Sequence, residues 1–320
     1  MQTQREFLSL RQHLEQVIVG QPDLIDRLMI GLLTGGHILL EGPPGLAKTT
    51  AVKALAGGVH ASFQRIQFTP DLMPGDVTGT DIFDPHDGAF RFVPGPIFHH
   101  IVLADEINRA PPKVQSALLE AMQEHQVTVG GVTHGLPELF VVMATQNPLE
   151  QTGTYPLPEA QLDRFLMHVV LDYPSADEEL AILRRDRKLH YGQDPSPVSS
   201  PLQPETVLQA RREVAEIHVD EQLERYMVAL TGATRHPEQW VGEWRDFVAV
   251  GASPRASLAL LRAASALAYL RGRAYVIPED IIDVAPDVLR HRVIPGFEAR
   301  AAEVGADAIV RGLLERIPVP

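Results

Sequence analysis

The sequence predicts an α/β domain built on a parallel sheet, followed by a separate helical domain, and three observations carry that expectation. Through residue 174, short apolar runs at 38–40, 101–104, 139–144 and 169–171, and an apolar/polar alternation at 63–68, are interleaved with segments of helical spacing. The runs at 101–104 and 139–144 are apolar throughout, as strands buried on both faces are. From Thr206 onward only helical patterns remain. The expected parts are residues 1–174, a connecting stretch at 175–217 (helix, Pro-rich loop, helix), and residues 218–320. A chain of 320 residues suffices for two domains at about 100–200 residues each.

Taken in order, Phe7, Leu10, Leu14 and Ile18 recur at helical spacing, so the chain opens with a helix. A turn at Gly20, Gln21 and Pro22 introduces a second helix, whose apolar face is Ile25, Leu28, Met29 and Leu32 and whose stop is Gly35 and Gly36. That turn reads equally as a helix linker or as a wall for an adenine ring. After the first strand, a helix over 51–56 ends at Gly57 and Gly58. Residues 80–96 form a hairpin turning at Asp87 and Gly88, and residues 126–136 a second one turning at Gly130 and Gly131. Between them, a helix over 111–125 places Val114, Leu118, Leu119 and Met122 on one face. A short helix over 158–165 carries Arg164, and a helix over 175–186 precedes a Pro- and Ser-rich loop at 193–204. Helices at 207–216, 220–234, 257–269, 278–288 and 297–316 complete the chain.

Composition excludes several function classes. With no cysteine there is no disulfide, no thiolate zinc site and no thiol nucleophile. No apolar run reaches the roughly 18–20 residues of a membrane-spanning helix. The N-terminus lacks the apolar core of a signal peptide, so a cytoplasmic protein is expected. A net charge of −13 argues against non-specific nucleic-acid binding, which rests on Lys and Arg neutralising phosphates.

The chemistry gathers around residues 38–50. A buried strand is followed by a turn of Gly42, Pro43, Pro44, Gly45, Leu46 and Ala47, then by a helix opening at Lys48, Thr49 and Thr50. Such an order aims backbone N–H groups and a helix dipole at an anion. Lys48 would reach β- and γ-phosphates, and the Thr49 hydroxyl would ligate Mg²⁺. Against the pattern G-x-x-x-x-G-K-[ST], Ala47 stands where the last glycine is expected. A second strand ends in Asp105 and Glu106. At the carboxyl edge of a parallel sheet these acids could hold Mg²⁺ and polarise an attacking water, or cap the next helix. Asn147, at the end of another strand, is either a turn former before Pro148 or a group bonded to the attacking water. Arg164 is a solvated charge or a finger toward a neighbouring subunit's phosphate. Arg255, near a helix N-terminus where the dipole disfavours a cation, reads as a surface residue or as one aimed at an anion.

As an ordered set these pieces resemble an AAA+ ATPase, and specifically the MoxR family. The resemblance is carried by GPPGLAKT (42–49), TPDLMPGD (69–76), LADEINRAPPKVQSALLEAMQE (103–124), ATQNPLEQTGTYPLPEAQLDRF (144–165), GASPRAS (251–257) and VLRHRV (288–293). It covers nearly the whole chain, and Ala47 is similar to what MoxR proteins carry. The resemblance implies a three-layer αβα core of the P-loop NTPase class with an all-α lid, a helix-2 insert at about 76–98 and a hairpin at about 126–137 before the sensor-1 strand. It implies ATP and Mg²⁺ as ligands. Lys48 and Thr49 would be the Walker A pair, Asp105 and Glu106 Walker B, Asn147 sensor 1 and Arg255 sensor 2. Arg164 would be the arginine finger, with Arg109 as a second trans candidate. It further implies a ring, expected to be hexameric, and a chaperone activity on partners with a von Willebrand factor A domain.

Two other classes compete. One is a DNA-stimulated motor, which the acidic balance disfavours, since the hairpin at 126–136 has no Lys or Arg and the other only Arg91. The other is a slow nucleotide-gated binding switch. A GTPase is disfavoured by the absence of an N-K-x-D motif.

Overall fold

A computed structural model describes residues 2–46, 48–148, 153–191 and 201–320. Ala47 and most of the Pro- and Ser-rich loop therefore lie outside the described residues. Helices α1 (Gln2–Val17) and α2 (Pro22–Thr34) lead into strand β1 (Ile38–Glu41) and helix α3 (Lys48–Gly58). Then follow β2 (Phe63–Gln67), α4 (Pro74–Thr78), the hairpin β3 (Gly79–Asp84) and β4 (Ala89–Pro94), β5 (Ile101–Asp105) and α5 (Pro112–Glu124). A second hairpin, β6 (Gln126–Val129) and β7 (Val132–Gly135), precedes β8 (Val141–Gln146), α6 (Glu159–Leu162), β9 (Met167–Val170) and α7 (Ala176–His190). The remainder is α8 (Pro204–Ala215), α9 (Glu221–Ala233), β10 (Val248–Val250), α10 (Pro254–Leu270), α11 (Pro278–Leu289), β11 (Ile294–Pro295), α12 (Phe297–Ala301) and α13 (Ala306–Arg316).

The central sheet has the order β2-β5-β8-β1-β9, and every pairing in it is parallel. Its period-2 alternation divides the core into two. Ile38 and Leu40, Ile101 and Leu103, Val141 and Met143 face α1, α2, α3 and the C-terminal helices in one cluster. Leu39, Val102, Ala104, Val142 and Ala144 face the other way, against Val114 and Leu118 of α5. Both faces are covered, so the inner strands are apolar without alternation, and the three-layer α/β expectation holds. The edge strand β2 tolerates Gln64, Arg65 and Gln67 because only Ile66 is buried there.

The C-terminal lid is helical as expected, with one addition: β10 and β11 pair antiparallel. α10 packs against α2 as well as α9 and α11, so the lid and the first two helices share one hydrophobic cluster. Both predicted hairpins form, with the turns where expected. α4 is an addition to the expected helices, and the reading of 158–165 as one helix is corrected. α6 ends at Leu162, and Arg164 lies in the turn beyond it. The chain must straighten there, because Leu166 donates its N–H to the His37 carbonyl as β9 joins the sheet.

Candidate functional site

Because all five strands run parallel, their carboxyl ends share one edge, and that edge gathers most of the predicted residues. Past β1, Gly42 and Leu46 are buried, Pro43, Lys48 and Thr49 half-buried, and Pro44, Gly45 and Thr50 exposed. Gly45 has φ +88, a left-handed conformation that L side chains rarely adopt. Lys48, the first residue of α3, donates from Nζ to the carbonyls of Gly42 and, at 3.3 Å, of Gln146. Its ammonium thus bridges the loop and the end of β8. Burial lowers its pKa, against the opposing pull of Asp105, Glu41 and Glu106.

The acid pair is held by groups from two neighbouring strands. Asp105, the last residue of β5, is buried, and its Oδ1 accepts from Thr145 Oγ1 at 2.5 Å. Its Oδ2 accepts from Arg65 Nε at 2.9 Å and Nη2 at 2.6 Å. Glu106 leaves the strand at φ 58, ψ 49, and its N–H donates to the same Thr145 hydroxyl at 2.9 Å. Its Oε2 accepts from Gln67 Nε2 at 2.8 Å and lies 3.4 Å from Arg109 Nη1. Asn147 is buried just past the end of β8. Sequence reasoning missed Thr145, Arg65 and Gln67. Their only local signal was a polar run in an edge strand and a polar residue closing an apolar one.

These residues fit a Mg²⁺–phosphate ligand. A carboxylate offers about four lone-pair sites, and Asp105 uses three of them. Together with the Thr49 hydroxyl it would offer the oxygen donors this cation prefers. No cluster of three or more His, Asp or Glu suited to a metal occurs among the described residues.

The turn at Gly20 and Gln21 belongs to the same end of the molecule, since α2 starts there and reaches the opposite edge at Gly35. Gly20 has φ +78, and a Cβ on it would lie 2.8 Å from Glu178 Cβ, so α7 can pass close to this turn only over a glycine.

Arg164 and Arg255 are elsewhere. They line a cavity of about 320 Å³ with Gly35, Gly36 and His37, which precede β1, and so stand at the amino edge of the sheet. Arg255 occupies the first turn of α10, where Ser253 Oγ accepts its N–H at 3.2 Å, and its Nη1 lies 4.0 Å from Asp163 Oδ2. β1 spans four residues, about 13 Å at strand rise, so neither arginine shares an edge with the loop of its own chain. Arg109, by contrast, stays beside Glu106 at the carboxyl edge.

Known proteins similar to this chain share its family and fold. The model for the ATPase family associated with various cellular activities (AAA) matches residues 37–167, and an AAA lid domain matches residues 245–313. The chain is 47% identical over 307 residues to "Chaperone MoxR1" of Mycobacterium tuberculosis, covering 96% of this chain and 80% of that protein. It is 33% identical over 325 residues to "Protein MoxR" of Methylorubrum extorquens, covering 95% and 92%. The crystal structure of a putative ATPase from Cytophaga hutchinsonii superposes with a TM-score of 0.91 at 45% identity, covering 99% of this chain and 96% of that one.

Proposed function

The chain belongs to the MoxR family of AAA+ ATPases, and from that premise we propose that it is a Mg²⁺-dependent ATP hydrolase that assembles into a ring and remodels or activates partner proteins. The observation that carries this is the meeting, on one sheet edge, of Lys48, the Asp105–Thr145–Glu106 bonds and Asn147. In this reading the backbone from Gly42 to Lys48 cradles the phosphates, Lys48 turns its ammonium from two carbonyls onto them, and Gly20 and Gln21 flank the base. Thr49 and Asp105 hold Mg²⁺, which when bound neutralises charge on the phosphates. Glu106 takes the proton of the attacking water, and Asn147 orients that water. Gln67 holds the Glu106 carboxylate by a hydrogen bond.

Arg164 and Arg255 then act on the nucleotide of the next copy. Their place at the opposite edge supports a head-to-tail ring, for which six copies are the expected number. It favours Arg164 over Arg109 as the trans-acting finger. The name of the M. tuberculosis relative supports a chaperone role, and the family resemblance supports partners with von Willebrand factor A domains. The hairpins offer no basic face for DNA, since Arg91 is paired with Asp84 and Asp87. Among the described residues no helix is long and apolar enough to cross a membrane, in keeping with a place in the cytoplasm. In this reading the chain divides into an ATPase core at 1–174, a connecting stretch at 175–217 and a lid at 218–320.

Two substitutions test it. Glu106→Gln is expected to abolish multiple-turnover hydrolysis and keep ATP binding, and Lys48→Ala to weaken binding itself. Hydrolysis by the Glu106→Gln protein at the wild-type rate would remove Glu106 from the role of base.

A further inference from the structure

We infer that Arg262 is a third arginine of the site that receives the next copy's nucleotide, binding its polyphosphate beside Arg164 and Arg255. This rests on the head-to-tail reading above and adds to it a residue that no motif indicates. On α10 the positions 255, 259 and 262 are spaced by four and three, so they share one helix face, and all three line the cavity at the amino edge. Arg164 enters the same cavity from the turn after α6.

The charge there is unbalanced. Among the described residues Asp163 is the only acid lining the cavity, and its carboxylate is already bonded by Arg292 at 2.8 Å and by Ser253 at 3.0 Å, with Arg255 farther off at 4.0 Å. Arg262 is exposed and makes no hydrogen bond or ion pair among the described residues. His37 adds no charge, because burial lowers its pKa to about 4. In a chain of net charge −13, a cavity lined by four arginines, of which Arg292 is bonded to the one lining carboxylate, is a local reversal of sign, built to attract an anion. Guanidinium forks match phosphate oxygens in pairs, and a nucleotide's polyphosphate offers several such groups in a row. The head-to-tail arrangement brings one to this edge, because each copy's loop lies at the other end of the sheet.

The test is complementation, at ATP well below the raised KM, between variants that are each impaired for a different reason. Arg262→Ala keeps its own loop and acid pair, but fails its neighbour. Glu106→Gln cannot turn over its own ATP, yet presents an intact Arg262. Alone, Arg262→Ala is expected to lose about 10- to 100-fold in kcat/KM, the range for a lost charge-assisted bond, chiefly as a rise in KM. Arg262→Lys should recover only part. Mixed with Glu106→Gln under conditions in which both assemble by light scattering, it should hydrolyse ATP faster than the two separate proteins summed. Wild-type kinetics in Arg262→Ala, or a mixture no faster than the sum, would overturn the inference. So would loss of assembly by Arg262→Ala, since Arg262 would then be an assembly contact. Arg164→Ala mixed with Glu106→Gln runs in parallel. If that pair complements and the Arg262 pair does not, only the Arg262 assignment fails; if neither does, the inter-copy reading fails with it.

Discussion

Thr145 shows how much a single hydroxyl can hold. It donates to Asp105 Oδ1 at 2.5 Å and accepts the Glu106 N–H at 2.9 Å, so one atom fixes the carboxylate of the first acid and the backbone of the second. Glu106 needs that hold, because φ 58 is left-handed and costs a non-glycine residue of the order of 1–3 kcal/mol. Thr145→Val preserves the shape and removes both bonds. It is expected to cost about 1–3 kcal/mol for the polar groups left unpaired and to lower kcat more than it raises KM. Thr145→Ser keeps both bonds and should keep turnover. Steady-state kinetics beside urea melts check this, and a wild-type kcat in the valine variant would exclude Thr145 from positioning the base. Lys48, Asp105, Glu106 and Asn147 were legible in the sequence because each sits at a fixed offset from the end of an apolar run. Thr145, Arg65 and Gln67 reach the acids across strands, and a cross-strand register is not written in any local window.

Between elements, the joint at the start of β1 depends on His37. Its Nδ1 accepts the Val142 N–H at 2.9 Å, so Nε2 carries the proton and donates to the Met122 carbonyl at 3.1 Å. The ring thus ties β1 to the start of β8 and to the last turns of α5. It is buried, with His125 and Arg211 also opposing its charge, and it stays neutral down to about pH 4 against an ordinary value of 6.5. Between those values the unfolded chain binds a proton here and the folded chain does not. The stability is therefore full at neutral pH and falls as pH drops through the window, by about 3 kcal/mol in all. Urea midpoints at pH 7.5 and 4.5 test this, with His37→Gln expected to lose less between the two than the wild type. Equal losses would assign the pH dependence to other groups. The long helices, the buried strands and both hairpin turns were legible because period and turn chemistry are local. The one-turn α4, the β10–β11 pair and the early end of α6 were not. Elements so short have no period to read and exist only through what they pack against.

At the scale of the molecule, the two edges of the sheet carry different duties, and Asp163 joins the lid to one of them. Its Oδ1 accepts from Arg292 Nε at 2.8 Å and its Oδ2 from Ser253 Oγ, the cap of α10. Arg292 is buried, and its remaining donors go to backbone carbonyls, among them that of Phe165 at 2.7 Å. Asp163 is thus the carboxylate that balances this guanidinium, whose pKa burial lowers and Asp163 pulls back. Removing one partner of a buried pair strands the other, so Asp163→Ala is expected to cost about 3–5 kcal/mol. Asp163→Asn, which can still accept a hydrogen bond, should cost less. The loss belongs to the amino edge, where α10 and Arg255 would lose their anchor, and not to the loop beyond β1. ATP binding measured with a Glu106→Gln background should therefore hold while wild-type-background turnover falls. Hydrogen exchange should rise first in the opening turn of α10 and at the entry to β9. If nucleotide binding were lost in step with turnover, the edges would not be independent, and the lid would have to act on the nucleotide site of its own chain.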